Sequence, residues 1–136
     1  MTRTPDTSVV VAGLCSWHPD HDLARAVIAK RPIVVGHVLV ESYAVLTRLP
    51  RNQRVTAAVA DAALTAAFVE DPIAMTGGDL HRLIHTLARS GVSGGAAYDA
   101  VVAETARRHG LALVTLDVRA ATTYEIVGVE TEFLGR

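Results

Sequence analysis

The chain has 136 residues, 50% of them hydrophobic and 20% charged, with a formal net charge of -1 and one cysteine, Cys15. That length suits one ordinary domain burying about two-thirds of the surface its unfolded chain exposes, and the hydrophobic share excludes a disordered segment. The near-neutral charge says little in favour of nucleic acid, so any such function must rest on local arginine clusters or on metal; the single cysteine excludes an intrachain disulfide or a cysteine zinc cluster, and no apolar run approaches the ~20 residues that span a bilayer. A cytoplasmic protein with no membrane partner is expected.

Taken in chain order, Thr2 to Pro5 is a short segment leading to Asp6, and Ser8 to Leu14 reads either as a buried strand or as the first turns of a helix. Trp17 to Asp20 reads as a surface turn, with Trp17 as a possible stacking residue or a half-buried anchor. His21 to Lys30 has helical spacing with Leu23, Ala24, Val27 and Ile28 on one face, and Ile33 to Val35 reads as a short buried strand. A helix follows over about Val38 to Leu49. Pro50 to Gln53 breaks it, and Val55 to Val69 is an Ala-rich helix offering more small apolar surface than one thin sheet needs. Ile73 to Met75 is read as a strand, Gly78 to Arg89 as a helix, and Gly91 to Gly95 as a loop without the Lys-Ser or Lys-Thr of a phosphate-binding motif. Ala97 to His109 is a helix closed by Gly110, and Leu111 to Thr115 is the plainest buried strand.

Strands and helices alternate with short connections, so the expected fold class is a three-layer α/β/α domain around a mostly parallel sheet. In such sheets the functional cleft lies beyond the carboxyl ends of the strands. Asp117, two residues beyond the Leu111–Thr115 strand, is placed there by it, and Thr2 to Pro5 offers the same placement to Asp6. Asp99 sits beside the inner face of its helix, which continues through Val102, Ala103 and Ala106. Glu41 interrupts the apolar run of Val38, Leu39 and Val40. Each acid has a plain structural role open to it: Asp6 as a helix cap, Glu41 as a solvent-facing residue, Asp99 as a first-turn acid, Asp117 as a turn residue. Together, carboxylates in apolar surroundings are what Mg²⁺ or Mn²⁺ needs, since such ions take oxygen ligands and activate water near phosphates. Glu104, about 140° around the helix from Asp99, is expected at the surface.

The order and surroundings of the four acids resemble those of PIN-domain ribonucleases, of the small kind that serve as toxins in VapBC-type toxin–antitoxin pairs. Asp6-Thr7-Ser8 resembles the opening motif, Glu41 the acid of the second motif, Asp99 in Tyr98-Asp99-Ala100 the third, and Thr115-Leu116-Asp117 the closing Thr-x-Asp. The resemblance covers nearly the whole chain and implies a single PIN-like domain over residues 1–136. It also implies that Asp6, Asp99 and Asp117 bind one or two Mg²⁺ or Mn²⁺ ions for RNA cleavage, with Glu41 as a further ligand or the base that orients water. Thr7, Ser8 and Thr115 are candidates for holding those groups in place. Arg48, Arg51 and Arg54 are candidate RNA contacts. A homodimer and a cognate antitoxin partner are implied as well. Two departures stand out: the segment before Asp6 ends in Pro5, which suits an edge strand, and Val118-Arg119-Ala120 lacks the aromatic residue common after the last acid. The competing reading is a non-catalytic α/β module that binds RNA or protein, its carboxylates serving as caps.

Overall fold

The computed structural model describes residues 1–135; Arg136, the last residue of the expected domain, lies outside them. The elements are β1 (Arg3–Pro5), α1 (Thr7–Leu14), α2 (His21–Ile28), α3 (Gly36–Thr47), α4 (Ala57–Ala67), α5 (Gly77–Ser90), α6 (Ala96–Arg108), β2 (Ala112–Thr115), a 3₁₀ turn Val118–Ala120, α7 (Ala121–Val127) and β3 (Thr131–Phe133). The strands lie in the order β1-β2-β3, all parallel, with Thr4 opposite Leu113 and Leu113 opposite Thr131.

Successive side chains of β2 point to opposite faces, which sorts its neighbours into two layers. Leu113 joins a buried cluster with Val102 and Ala106 of α6 and Tyr124 of α7, while Val114 joins Val9 and Ala12 of α1 and Ala24 and Val27 of α2. Helices therefore cover both faces of a parallel sheet, the α/β/α arrangement expected from the alternation of elements. Pro5 sits at the end of β1, an outer strand, where its missing N–H costs the ladder nothing. Between α1 and α2 the backbones approach closely at Gly13, where a Cβ would stand 2.8 Å from Cγ1 of Ile28 and 3.3 Å from the Ala24 backbone.

Three expectations are corrected. The strands at Ile33–Val35 and Ile73–Met75 shrink to one parallel bridge between Val35 and Ile73, fixed by Gly36 N–H to Ile73 O at 2.8 Å and Ile73 N–H to Val34 O at 3.0 Å. Pro32 and Pro72, which lack a donor, stand just before these segments, and α3 begins at once with Gly36. In α2, Ala24, Val27 and Ile28 are buried but Leu23 is exposed. Glu104 is buried, not at the surface, because Arg107 and Arg108 fold back over its carboxylate. The ambiguity at residues 8–14 resolves as helix, since the Asp6 carboxylate accepts from Val9 N–H and caps α1. On α4 the buried stripe is Ala60 and Leu64, which leaves Val59, Ala62 and Ala66 exposed. Among the described residues no helix is long and apolar enough to cross a membrane.

Candidate active site

The carboxyl ends of β1 and β2 lie side by side and open onto a cavity of about 330 Å³. Its lining brings together all four acids singled out from the sequence: Asp6 with Thr7 and Ser8 at the start of α1, Glu41 from the middle of α3, Asp99 from the first turn of α6, and Asp117 beyond β2. Val11, Val45, Val102, Arg119 and Tyr124 complete it. Four separate elements thus deliver one carboxylate each to one hollow.

Hydroxyl groups brace these acids. Ser8 Oγ donates to Asp6 Oδ1 and accepts from Leu116 N–H at 2.9 Å, tying the start of α1 to the end of β2. Thr115 Oγ1, 3.5 Å from Ser8 Oγ, accepts from Asp117 N–H at 2.9 Å and so sets the turn that carries Asp117. Thr7 Oγ1 donates to Glu41 Oε1 and links α1 to α3. The three hydroxyl residues read from the sequence therefore each hold a carboxylate or its backbone.

Asp6 is buried, and burial pushes its carboxyl above the usual range, with the Ser8, Thr115 and Tyr124 hydroxyls and the Val9 N–H pulling the other way. Tyr124 donates from its phenol to Asp6 Oδ2 at 2.8 Å, and its own ionisation is pushed far upward by burial and by the Asp6 charge. The phenol stays protonated and remains a donor. Tyr124 is the first aromatic residue after Asp117, displaced along the chain from the segment Val118-Arg119-Ala120, which lacks one. Its position in a helix packed behind Asp6 was not readable from spacing alone.

Asp99 differs from the other three. Among the described residues its carboxylate has no hydrogen-bond or ion-pair partner. Desolvation raises its pKa to about 6, with the charges of Glu41, Asp117 and Asp6 adding to the rise and His37 opposing it. Asp117 instead accepts from Arg119 N–H at 3.0 Å and lies 3.6 Å from Arg119 Nε, whose side chain is almost wholly in solvent. Such an exposed pair contributes little attraction.

The donor set is all oxygen, the kind that suits a hard divalent cation. Among the described residues, however, no three His, Cys, Asp or Glu side chains are arranged so as to hold a metal ion together. Arg48, Arg51 and Arg54 are exposed around the loop after α3, and none of them lines the cavity; Arg54 Nε caps Leu49 O at 2.9 Å. Trp17 stands beyond the C-terminal end of α1, whereas Asp6 caps its N-terminal end, so the stacking residue suggested by the sequence is remote from the cavity. Arg119 and Tyr124, which the sequence did not single out, are the additions.

Comparison with known proteins shows the family of the chain. The family model described as PIN domain matches residues 4–126. The chain is 39% identical over 130 residues to Ribonuclease VapC40 of Mycobacterium tuberculosis (strain CDC 1551 / Oshkosh), covering 96% of this chain and 97% of that protein. It is 41% identical over 125 residues to Ribonuclease VapC27 of Mycobacterium tuberculosis (strain ATCC 25618 / H37Rv), covering 91% and 90%. Among solved structures, that of PAE2754 from Pyrobaculum aerophilum superposes with a TM-score of 0.59 at 23% identity, covering 96% of this chain and 90% of the other, a likeness of fold.

Proposed function

Because the chain belongs to the PIN-domain family and to its VapC-like ribonuclease toxins, we propose that it is a Mg²⁺- or Mn²⁺-dependent endoribonuclease that hydrolyses RNA phosphodiester bonds and is neutralised by a cognate antitoxin. The observation that carries this reading is the unpaired, half-buried carboxylate of Asp99 facing three other acids in one cavity. Such an arrangement destabilises the metal-free protein and is relieved by a cation. In this reading Asp6, Asp99 and Asp117 are the ligands. A divalent ion bound there would lower the pKa of a water and neutralise charge on the phosphate.

The protein groups divide the remaining work. Ser8 and the Val9 N–H occupy Asp6 Oδ1 and Tyr124 occupies one side of Oδ2, which leaves the second lone pair of Oδ2, on a fixed carboxylate, for an ion. Thr7 holds Glu41 by one oxygen, which leaves the other to ligate the ion or to take the proton of the attacking water. Arg119 at the rim is positioned to meet a phosphate once Asp117 is engaged elsewhere. RNA, the antitoxin and a second copy of this chain are the partners in this reading. Exposed Val40, Val59 and Ile84 offer apolar surface for the two proteins. Arg48, Arg51 and Arg54 would then serve as outlying phosphate contacts.

One observation favours a second reading. Asp6 caps α1, Asp117 caps the 3₁₀ turn through Arg119 N–H, and Glu41 is held by Thr7, so three of the four acids have structural work of their own. A non-catalytic α/β module binding RNA or protein would need nothing more. Incubation of total cellular RNA with the purified protein in Mn²⁺, Mg²⁺ or EDTA, beside Asp99→Asn, separates the two. Discrete metal-dependent products absent from the variant are expected. A folded, partner-free wild-type protein that cuts nothing while Mg²⁺ and Mn²⁺ leave its melting unchanged selects the module.

A further inference from the structure

The residue directly before Asp99 is Tyr98, an aromatic side chain 60% exposed at the start of α6. Its ring lies nearly parallel to the imidazole of His37, with centroids 5.6 Å apart and planes inclined by 9°. His37 belongs to the first turn of α3, one turn ahead of Glu41 on the same side of that helix. It also stands near enough to Asp99 to oppose the rise in that carboxyl's pKa. The stacked pair is therefore built from the two helices that bring Asp99 and Glu41 to the cavity. As a packing contact it covers the tyrosine only in part, since the residue stays 60% exposed with His37 stacked against it.

The charge around the cavity sharpens the question of what holds a substrate there. Four carboxylates and a single arginine, the solvent-exposed Arg119, line it, the formal net charge is -1, and the three arginines after α3 lie outside it. Phosphate attraction, the usual source of nucleic-acid affinity, is weak at this place. Base stacking on an aromatic face is independent of charge and tolerant of sequence, and it requires a base that is not already stacked in a duplex.

We propose that Tyr98, backed by His37, is a stacking platform that holds an unpaired nucleobase of the RNA beside the acidic cavity. The pair positions substrate and takes no part in the bond-breaking step; the proposal rests on the ribonuclease reading.

The test is fluorescence anisotropy with 5′-fluorescein octamers of rA, of rU and of an abasic ribose-phosphate chain, in Ca²⁺, using the full chain, Tyr98→Ala and Tyr98→Phe. Tyr98→Ala is expected to weaken the rA octamer about tenfold and the rU octamer less, with Tyr98→Phe close to wild type and the abasic chain bound alike by all three. Equal loss on the abasic chain, or no loss on rA, overturns the platform. So does a change in the oligomeric state of Tyr98→Ala, measured by light scattering, since the ring would then belong to a contact between subunits. Wild-type protein that binds and cuts RNA while Tyr98→Ala matches it removes the platform alone. Wild-type protein that neither binds these octamers nor cuts cellular RNA removes the ribonuclease reading with it.

Discussion

Asp99 and Glu104 stand five residues apart on α6, and the chain treats their identical charges in opposite ways. Glu104 accepts from Arg107 Nε at 2.6 Å and from Arg108 Nε at 3.1 Å, and these bonds hold its carboxyl below the ordinary range. Arg108 reaches on to Asp79 of α5 at 3.3 Å, so this acid joins a network that ties two helices together. Asp99 is raised to about 6 by burial and by three neighbouring acids. A helix able to supply arginines one turn away from one acid leaves the other unmatched. The difference teaches that the acidic cavity is held together by its scaffold and against its own charge, as the metal-ligand role proposed for Asp99 requires.

The sharpest way to break the comparison is to neutralise each acid. Asp99→Asn is expected to lower metal-dependent RNA cleavage by more than about a hundredfold, beyond the 10–100-fold typical for groups that merely support a ligand, while the protein stays folded by circular dichroism. Retained cleavage would remove Asp99 from the machinery. Tyr124→Phe deletes only the phenol that donates to Asp6 Oδ2. Cleavage is expected to fall about 10–100-fold, with a weaker apparent affinity for Mn²⁺ read by titration of the rate. An unchanged Mn²⁺ dependence would make Tyr124 a packing residue.

How much of this contrast was legible in the sequence depends on the range of the cause. Asp6, Glu41, Asp99 and Asp117 were readable because each interrupts or abuts an apolar run, and their grouping into one site followed from the resemblance to PIN-domain ribonucleases. Glu104 was misread because periodicity gives the angle of a residue on its helix and not what Arg107 and Arg108 do after folding. Tyr124 was missed for a similar reason: its partner Asp6 is 118 positions away, and nothing local marks the hydrogen bond. The bridge of Val35 and Ile73 looked like two strands because short apolar runs carry no information about how many partners they find. His37 and Tyr98 meet only because the start of α3 folds against the start of α6.

A smaller effect separates the two acids by pH. The folded-state pKa of Asp99 lies above its unfolded value of about 3.9, so the folded state binds the extra proton and stability falls as pH rises from about 4 to about 6. Screening at this half-exposed group limits the loss to about 1 kcal/mol, or about 3–5 °C in melting temperature. Glu104, with its pKa lowered, contributes stability that is present above its unfolded pKa and lost as pH falls through the folded one. Metal-free protein should therefore melt at a lower temperature at pH 7 than at pH 5, and Asp99→Asn should reduce that decline, leaving the part that the raised Asp6 carboxyl contributes. Mn²⁺ should raise the melting temperature more at pH 7 than at pH 5, because protonated Asp99 binds it less well. A decline that persists unchanged in Asp99→Asn would place its origin elsewhere.

Glu104→Gln provides the converse at the smallest scale. The substitution keeps the shape and one acceptor oxygen but removes the charge that Arg107 and Arg108 share, and both arginines are exposed enough to recover water. A loss of about 1 kcal/mol is expected, visible as a lower midpoint in urea with an unchanged slope. RNA cleavage by the folded fraction should match wild type, because Glu104 does not line the cavity that holds Asp99. Asp99→Asn should do the reverse, costing activity and sparing or raising the midpoint in metal-free buffer. Opposite signs from two acids on one helix follow only if one is paired for the fold and the other is left unpaired for a cation. Two losses of stability of the same sign would show instead that Asp99 has a structural partner, and the cavity would lose its strongest claim to chemistry.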